Sequence, residues 1–503
     1  MKNTFNKEQF FKIIKKLHLN GQDKKDYWSE LKNNFLPPFE KINKIYYSPV
    51  RAAKYKRTYK SRPLKDDHYN AWFVKTNIKN NKKGILKGKK IAIKDNIAIA
   101  DVPMSLGTKL MKGYKPKEDA TVIIRLLKEG ANIVGKSVSE NMFVAGSSYT
   151  ADTGPVNNPK MPGFSAGGSS SGSAALVASM QVDGALGCDQ TGSIRIPCAW
   201  CGIYGLKPTR GLVPYTGIAS VDQLLDTVGP IANKVSVLAL ILDTISGKDG
   251  LDGRQNWLKD KQKFDFFKSL DMNLKNKKIG VLQQGFQIRD LSEFQVDKAV
   301  HTNICYFKNF GVKIKKISIP EFKLGQIIAD IINILGTYHQ LFKNGGASFG
   351  TSTYYPFDLS QTIKERIKFE NINELPPIVQ AILYAGLQAE NSECNYYELA
   401  QNMIPIVKKA FKKAFKRVDV LALPTVPFRT HKLFSELKNT TEKLINVASG
   451  VGTNCGIFNI LGYPAINIPC KIRENHKPIG MMLISPFGKD QELLNFAYTF
   501  EKN

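Results

Sequence analysis

A run of nine small residues, 165–173 (SAGGSSSGS), leads directly into a short apolar segment, AALVASM, at residues 174–180. A flexible glycine–serine linker would not continue into such a segment. The small apolar residues instead predict a helix over residues 172–180 that packs closely against its neighbours and is buried. Buried serine hydroxyls need hydrogen-bonding partners. The run therefore predicts a polar cluster inside the protein, on turns that glycine permits, which is typical of a functional site.

Strand and helix patterns alternate on both sides of this run. Strands are predicted at residues 90–93, 132–134 and 185–187, and helices at 121–127 and 235–246. Later segments continue the pattern, with strands at 278–282, 312–319, 418–423, 465–468 and 480–484, a mostly helical stretch at 322–402 and a closing helix at 491–500. This alternation predicts an α/β protein with a mixed, largely parallel twisted sheet covered by helices, which the late strands complete.

The amino-terminal segment has a different pattern. Phe10, Ile13 and Ile14 are spaced as on one face of a helix, as are Trp28 and Leu31. Residues 1–70 are therefore predicted to be a helical extension that carries no catalytic group.

The charge of the chain suggests a second class of function. Lys and Arg number 72 against 43 Asp and Glu, a net charge of +29, and such an excess is typical of proteins that bind nucleic acid or an anionic membrane. The excess does not concentrate around the small-residue run, since residues 139–203 contain two basic and four acidic residues. A compositional origin of the charge is therefore favoured over nucleic-acid contact.

Cysteines and apolar segments restrict the protein class further. Seven widely spaced cysteines do not form a disulfide framework, and Cys198 and Cys201 form a lone C-x-x-C that we interpret as packing. No metal-binding pattern is visible, and the apolar run around residues 235–245 is far too short to cross a bilayer. We expect a soluble cytoplasmic protein without a metal or other cofactor.

Two segments contain the residues suited to catalysis. Lys94 directly follows the apolar residues 91–93, and a second loop, 187–197 (GCDQTGSIRIP), follows the predicted strand at 185–187. A lysine in such a place most often reaches solvent, and a Gly/Ser run ahead of a helix can cradle a phosphate, although no phosphate-binding motif follows this run. Serine with a buried, neutral lysine offers a third possibility, because such a lysine can activate serine as a nucleophile without histidine.

These segments together resemble the amidase signature family of Ser–Ser–Lys hydrolases. The resemblance runs from about residue 70 to the end of the chain and rests on residues 93–96, 119–121, 135–137, 154–159, 167–172, 189–195, 201–209, 226–231, 423–425 and 478–482. It implies one large α/β/α catalytic domain over residues 71–503. The loop 190–197 and residues 71–78 are similar to those of bacterial acylamide amidases.

The resemblance also implies roles for individual residues. Ser193 would be the acyl-forming nucleophile, Lys94 the general base, and Ser169, after a cis peptide from Gly168, the bridging serine. The oxyanion hole would consist of the backbone N–H groups of Gln190, Thr191, Gly192 and Ser193. Three further residues would support them, Ser170 by a hydrogen bond to Lys94, and Asp189 with Arg195 as an ion pair.

One residue departs from the family pattern. Thr191 stands where the family often has glycine, so its side chain must either point away from the acyl pocket or narrow it. Family pocket positions correspond to Phe143, Val144 and Gly146 and to residues 450–454, which are mostly apolar or small. We expect a neutral aliphatic or aromatic acyl group, because a charged one would need a buried counter-charge.

Two enzymatic functions and one binding function compete. The leading one is an amidase that hydrolyses a small carboxylic amide to the acid and ammonia, with a homodimer left open. The second is the glutaminase-like A subunit of the tRNA-dependent amidotransferase, whose Arg–Arg segment is replaced here by apolar residues at 378–383. The third, a non-enzymatic nucleic-acid binder, lacks an aromatic-interleaved basic motif. Neither nucleic acid nor membrane is an expected partner of the amidase.

Overall fold

The computed structural model describes residues 6–16, 24–45, 57–62, 64, 66–80, 83–347, 352–433, 441–472 and 476–503. The chain divides into two compact units, Met1–Arg51 and Ala52–Asn503. The first contains helices α1 (Lys7–Lys16), α2 (Lys24–Glu30) and α3 (Pro37–Ile45), with a π-helical turn at Leu31–Phe35. The rings of Phe10 and Trp28 lie 5.5 Å apart, in agreement with the predicted apolar faces. Residues 17–23 and 46–56 of the predicted extension lie outside the described residues.

The second unit contains a large sheet and the helices that cover it. Its strands are β1 (Tyr59–Ser61), β2 (Trp72–Lys79), β3 (Lys90–Lys94), β4 (Asn132–Ser137), β5 (Asn157–Asn158), β6 (Met161–Ser165), β7 (Gly184–Asp189), β8 (Tyr204–Lys207), β9 (Thr227–Ala232), β10 (Lys278–Leu282), β11 (Lys313–Ile317), β12 (Val420–Pro424), β13 (Ala465–Pro469) and β14 (Gly480–Ile484). Its helices are α4 (Thr121–Lys128), α5 (Ser171–Ala178), α6 (Arg195–Cys201), α7 (Val235–Ile245), α8 (Phe294–Tyr306), α9 (Glu321–Thr337), α10 (Phe357–Arg366), α11 (Pro377–Glu390), α12 (Tyr396–Phe415), α13 (Thr441–Ala448), α14 (Gly456–Ile460) and α15 (Asp490–Lys502).

Twelve strands form one mixed sheet in the order β1-β2-β4-β3-β7-β9-β8-β13-β14-β12-β10-β11, and β5 and β6 form a separate pair. Of its eleven strand pairings, four are parallel (β3 with β4 and β7, β10 with β11 and β12) and seven are antiparallel. The late strands complete the sheet as predicted, but "largely parallel" is wrong. Strand β9 inserts antiparallel between β7 and β8, and β13 and β14 pair as neighbours without a crossover helix.

The predicted helical extension also includes one strand of this sheet. Residues Tyr59–Ser61 form the edge strand β1, which pairs antiparallel with β2. So short a strand forms only because β2 supplies its hydrogen bonds. The spacing of apolar residues within the segment carries no information about that pairing, so it could not predict the strand. The predicted boundary at residue 70 between extension and catalytic domain stays a prediction.

Side chains alternate between the two faces of the sheet. On β12, Val420 and Ala422 join a core with α4, α7, α8 and α15, whereas Leu421 and Leu423 join one with α6, α9, α12 and α14. On β3, Ile91 and Ile93 belong to the first core and Ala92 packs with α5 on the other face. The fold is therefore α/β, with helices on both sides of the sheet. Because alternate residues of a strand share a face, Lys94 lies on the same side as Ala92 and α5.

The described residues contain neither a membrane-spanning helix nor a metal-binding cluster. None of their helices combines the length and apolar character needed to span a bilayer. In the same part of the chain, no three His, Cys, Asp or Glu side chains are grouped as a metal site would require.

Candidate active site

Lys94 ends strand β3 and is fully buried. Its Nζ donates hydrogen bonds to Ser169 Oγ at 2.8 Å and to the carbonyl oxygen of Cys188 at 3.3 Å. Burial lowers the pKa of Lys94 from the ordinary lysine value of 10.5 to about 8. Nearby acidic groups, most strongly Cys188 and Asp189, raise this pKa but do not offset the effect of burial. About a tenth of this amine is therefore neutral at pH 7, and the fraction rises with pH, as a general base that acts near neutral pH requires.

Asp95 follows Lys94 but belongs to a different cluster. Its Oδ1 lies 3.1 Å from Nζ of the buried Lys136, and its Oδ2 accepts hydrogen bonds from the backbone N–H and hydroxyl of Ser105. The side chain of Lys94, at the end of the strand, and that of Asp95, directly after it, thus point to opposite sides of the sheet. The carboxylate adjacent in sequence does not pair with the Lys94 amine.

Ser169 is held by its backbone as well as by Lys94. The peptide bond Gly168–Ser169 is cis, as the family resemblance implies. The carbonyl oxygen of Ser169 accepts a hydrogen bond from the N–H of Glu140 at 3.1 Å, and a Cβ on Gly168 would come 2.7 Å from Glu140 Oε1. Sequence analysis missed Glu140, which is fully buried and whose carboxylate also accepts from the N–H groups of Ser148 and Thr150.

Ser170 does not make the predicted hydrogen bond to Lys94. Its hydroxyl donates to the carbonyl oxygen of Cys188 at 3.2 Å and accepts from the N–H of the same residue at 3.3 Å. At the start of α5, Ser170 packs against the backbone of β7, which offers both a donor and an acceptor. Ser170 and Lys94 are therefore connected only through the Cys188 carbonyl, to which both donate.

Ser193 lies in the loop after β7 and is nearly buried, with 6% of its surface exposed. It follows Gly192, whose φ of +124° favours glycine. The carbonyl oxygen of Ser193 accepts a hydrogen bond from the N–H of Ser170 at 3.2 Å, so the loops that carry the two predicted catalytic serines are joined one residue from Ser169. Among the described residues the Ser193 hydroxyl has no hydrogen-bond partner, and it faces a cavity.

The predicted oxyanion loop has one donor fewer than expected. The N–H of Gly192 donates to Asp189 Oδ1 at 2.8 Å and is therefore already engaged. The N–H groups of Gln190, Thr191 and Ser193 have no acceptor in the described part of the chain. The Gln190 side chain is held by hydrogen bonds from its Nε2 to Asp226 at 2.9 Å and to the Tyr215 hydroxyl.

Asp189 and Arg195 form the predicted ion pair at this loop, with both side chains fully buried. Burial alone would raise the pKa of Asp189, but the adjacent Arg195 guanidinium outweighs it and holds that pKa well below the usual range. Two bonds join the pair, from Arg195 Nε to Oδ2 and from Nη2 to Oδ1. Sequence analysis missed Asn459 on α14, which accepts from Arg195 at 2.7 Å and donates to Asp189 at 3.0 Å.

A cavity of about 400 Å³ opens in front of Ser193. Its walls include the predicted pocket residues Phe143, Val144 and Gly146, together with residues 450–453. Asn454, also predicted, lies outside the lining and donates to backbone carbonyls of Gly285 and Pro424. Sequence analysis missed the other wall, which comes from distant helices: Asp330, Asn333, Ile334 and Thr337 on α9, and Ile378 and Ile382 on α11.

Thr191, the departure from the family pattern, is half-buried and lines this cavity. Its side chain lies close to two glycines across the loop, since a Cβ on Gly456 would come 3.5 Å from Thr191 Cγ2 and one on Gly452 would come 3.7 Å from Thr191 Oγ1. These are ordinary van der Waals distances, and the closer approach is to the backbone, since a Cβ on Gly452 would come 2.7 Å from the carbonyl oxygen of Thr191.

Comparison with known proteins gives consistent matches. The model of the family described as Amidase matches residues 65–494. An enantioselective amidase of Rhodococcus rhodochrous is 33% identical over 436 residues, 86% of this chain and 83% of that protein. The A subunit of glutamyl-tRNA(Gln) amidotransferase from Halothermothrix orenii is 32% identical over 425 residues, 84% of this chain and 86% of that protein. The crystal structure of the corresponding protein from Thermotoga maritima has the same fold, with a TM-score of 0.71 at 24% identity, covering 87% of this chain and 88% of that one.

Proposed function

The chain belongs to the amidase signature family, hydrolases that act on C–N bonds, and from that premise we propose that it hydrolyses a small carboxylic amide to the acid and ammonia. The observation that carries this proposal is the 2.8 Å hydrogen bond between the buried amine of Lys94 and the hydroxyl of Ser169. It couples a lysine of lowered pKa to a serine on the loop that contacts the Ser193 segment.

In the proposed mechanism Ser193 Oγ attacks the amide carbonyl carbon. Its proton passes to Ser169 while Ser169 passes its own proton to the neutral amine of Lys94. The negative charge that develops on the carbonyl oxygen is stabilised by the free N–H groups of Gln190, Thr191 and Ser193. When the C–N bond breaks, the Lys94 proton returns through Ser169 to the leaving nitrogen, and ammonia departs.

The acyl group then remains as an ester on Ser193. Water enters by the cavity, and the same lysine accepts its proton as it attacks the ester carbonyl. Breakage of the C–O bond returns a proton to Ser193 and releases the acid. Asp189 and Arg195 take no proton in this sequence; they fix the loop that supplies the N–H donors.

A second candidate is the glutaminase-like component of a tRNA-dependent amidotransferase, favoured by the 32% identity to the Halothermothrix orenii protein. Glutamine, its expected substrate, would place an α-carboxylate in the cavity. None of the described lining residues is Lys or Arg, and the segment that the resemblance would furnish with Arg–Arg contributes Ile378 and Ile382 instead. A carboxylate would have no counter-charge on these walls, and this supports the stand-alone amidase.

The test is ammonia release from a panel of primary amides, including L-glutamine, by the purified full chain alone. We expect turnover of amides that lack a free carboxylate, acyl mass on the wild-type protein with a slow substrate, and neither with Ser193→Ala. Glutamine as the only substrate, or activity only in the presence of tRNA and partner proteins, would favour the second candidate. Turnover by Ser193→Ala would exclude the assigned nucleophile. The expected cytoplasmic location and the absence of cofactor and nucleic-acid partner stay predictions.

A further inference from the structure

One face of α9 forms a wall of the cavity in front of Ser193. Asp330, Asn333, Ile334 and Thr337 follow the i, i+3, i+4, i+7 spacing of one helix face, so their side chains lie on the same side of the helix. Helix α9 is fixed to the opposite wall by a hydrogen bond from Gln326 Nε2 to the carbonyl oxygen of Thr453 at 3.1 Å. The positions of these side chains relative to the cavity are thus set by packing around the site.

Asp330 is the only charged residue among the described residues that line this cavity. Its neighbours on the walls are apolar or neutral, among them Phe143, Val144, Ile378 and Ile382. A lone acidic group here contrasts with the chain as a whole, whose net charge is +29.

The carboxylate of Asp330 has neither a hydrogen bond nor an ion pair within the described chain. Its side chain lines the cavity and is exposed to solvent, although the surrounding protein still raises the pKa of the carboxyl to about 6. Near neutral pH it is mostly ionised. A carboxylate without a partner, in a cavity whose other described walls are apolar or neutral, attracts a bound cation more strongly than it would in bulk water.

We propose that Asp330 binds a protonated amine on the acyl portion of the substrate, so that the preferred substrates are amino-substituted amides without a free carboxylate. The inference rests on the proposed amidase function and narrows its substrate class. It replaces the sequence-based expectation of a neutral acyl group, since Asp330 is the counter-charge that a cationic acyl group needs. We expect the substrate to lack a free carboxylate because the described cavity walls contain no Lys or Arg to pair with one.

Two kinds of amide share this chemistry: those with the amine on the α-carbon and those with it at the far end of an alkyl chain. The experiment therefore compares three amides of similar size, pentanamide, 2-aminopentanamide and 5-aminopentanamide, by kcat/KM on the purified full chain at about pH 7, where both amines are largely protonated. We expect kcat/KM to be higher for one of the two amino-substituted amides than for pentanamide. Which of the two is preferred shows where the bound amine lies relative to Ser193.

The variant Asp330→Asn keeps the size of the side chain and removes its charge. We expect kcat/KM for the preferred amino-amide to fall by about 10- to 100-fold, mainly through KM, and that for pentanamide to stay within about twofold. Glu321→Gln is the matched control, because it removes one negative charge from the same helix outside the cavity lining. It should leave both values unchanged. Thermal unfolding of each variant reports whether the fold is kept.

Equal turnover of pentanamide and both amino-amides, unchanged in Asp330→Asn, would overturn the inference and leave the proposed function standing. If no amide releases ammonia, the proposed function fails. Calorimetric binding of the same three amides to Ser193→Ala and to Ser193→Ala/Asp330→Asn then decides the inference separately. Tighter binding of an amino-amide that disappears with Asp330→Asn supports it, and equal binding of all three contradicts it.

Discussion

At the scale of single residues, the chemistry depends on whether a buried charged group has a partner of opposite charge. The amine of Lys94 is buried beside Ser169 with no carboxylate in contact, whereas the guanidinium of Arg195 is buried against Asp189. Burial without a paired anion lowers the pKa of Lys94, while the paired anion keeps Arg195 charged. The same burial thus lowers the pKa of the amine at one position and fixes an ion pair at the other.

The pH dependence of turnover tests the role of Lys94. Below a pKa of about 8 the amine is protonated and cannot accept the proton from Ser169. We therefore expect kcat/KM for a neutral amide to rise with pH along a limb with its midpoint near 8 and to level off above it. Lys94→Ala and Lys94→Arg should both lose activity by several orders of magnitude, because arginine stays protonated in this range. Substantial activity in Lys94→Arg would mean that another group is the base.

The Asp189–Arg195 pair should matter strongly for stability. Arg195→Met leaves the Asp189 carboxylate buried without its partner, so the free energy of unfolding should fall by about 3–5 kcal/mol. Denaturant unfolding measures this loss. Lys248→Met, which breaks the exposed pair with Asp260, is the control and should cost less than about 1 kcal/mol. Similar losses in the two variants would contradict the bracing role of the buried pair.

At the scale of elements, helix α5 fixes the position of the serine cluster. Every residue of Ser171–Ala178 is buried, and the helix ends before Met180, which was predicted to belong to it and is 72% exposed. Gly172 permits the close contact of α5 with the neighbouring chain, since a Cβ there would come 2.4 Å from the carbonyl oxygen of Ala71 and 2.6 Å from the nitrogen of Val138.

Gly172→Ala should therefore displace the start of α5 and, with it, the preceding Ser169. We expect a loss of unfolding free energy of at least about 1–3 kcal/mol and a fall in turnover that exceeds any fall in the folded fraction. Gly88→Ala is the control: a Cβ there meets no atom within 4 Å, so only its positive φ is disfavoured and turnover should be kept. Normal stability and turnover of Gly172→Ala would refute the importance of this contact.

At the scale of the whole molecule, the net charge of +29 is the least explained property. The described walls of the cavity carry one negative charge and no positive one, so the excess is not concentrated at the candidate active site. We therefore attribute it to surface composition.

Salt dependence tests this attribution. Turnover of a neutral amide should change by less than about twofold between low and moderate salt, because long-range attraction of an uncharged substrate is negligible. Fluorescence anisotropy with labelled DNA and RNA should show only weak binding. Tight binding with a steep logarithmic salt dependence, equivalent to several phosphate contacts, would restore nucleic acid as a functional partner.

The sequence by itself predicted many of the local elements and, through the family resemblance, the residues at the centre of the candidate site. Strands β10 and β14 have their predicted bounds, and Lys94, Ser169 and Ser193 come from contiguous motifs whose apolar or small neighbours already indicate burial. The cis peptide and the Asp189–Arg195 pair also followed from motif position. The bounds of the strands depend on residues close together in the chain, so short-range patterns suffice to predict them, whereas the cis peptide and the site residues are what the family resemblance implied.

Tertiary structure alone decided the strand order, the hydrogen-bond partners of Ser170 and of the Gly192 N–H, and which side chains line the cavity. The Ser170 hydroxyl bonds to Cys188 instead of Lys94, and the Gly192 N–H donates to Asp189 instead of remaining free as an oxyanion donor. Glu140, Asn459 and Asp330 carry no motif, and they reach the site through contacts between segments far apart in the chain. The physical reason is that a residue's partners are set by which elements pack together, and an α-helical pattern such as that of α9 shows an apolar face without showing what the face will line.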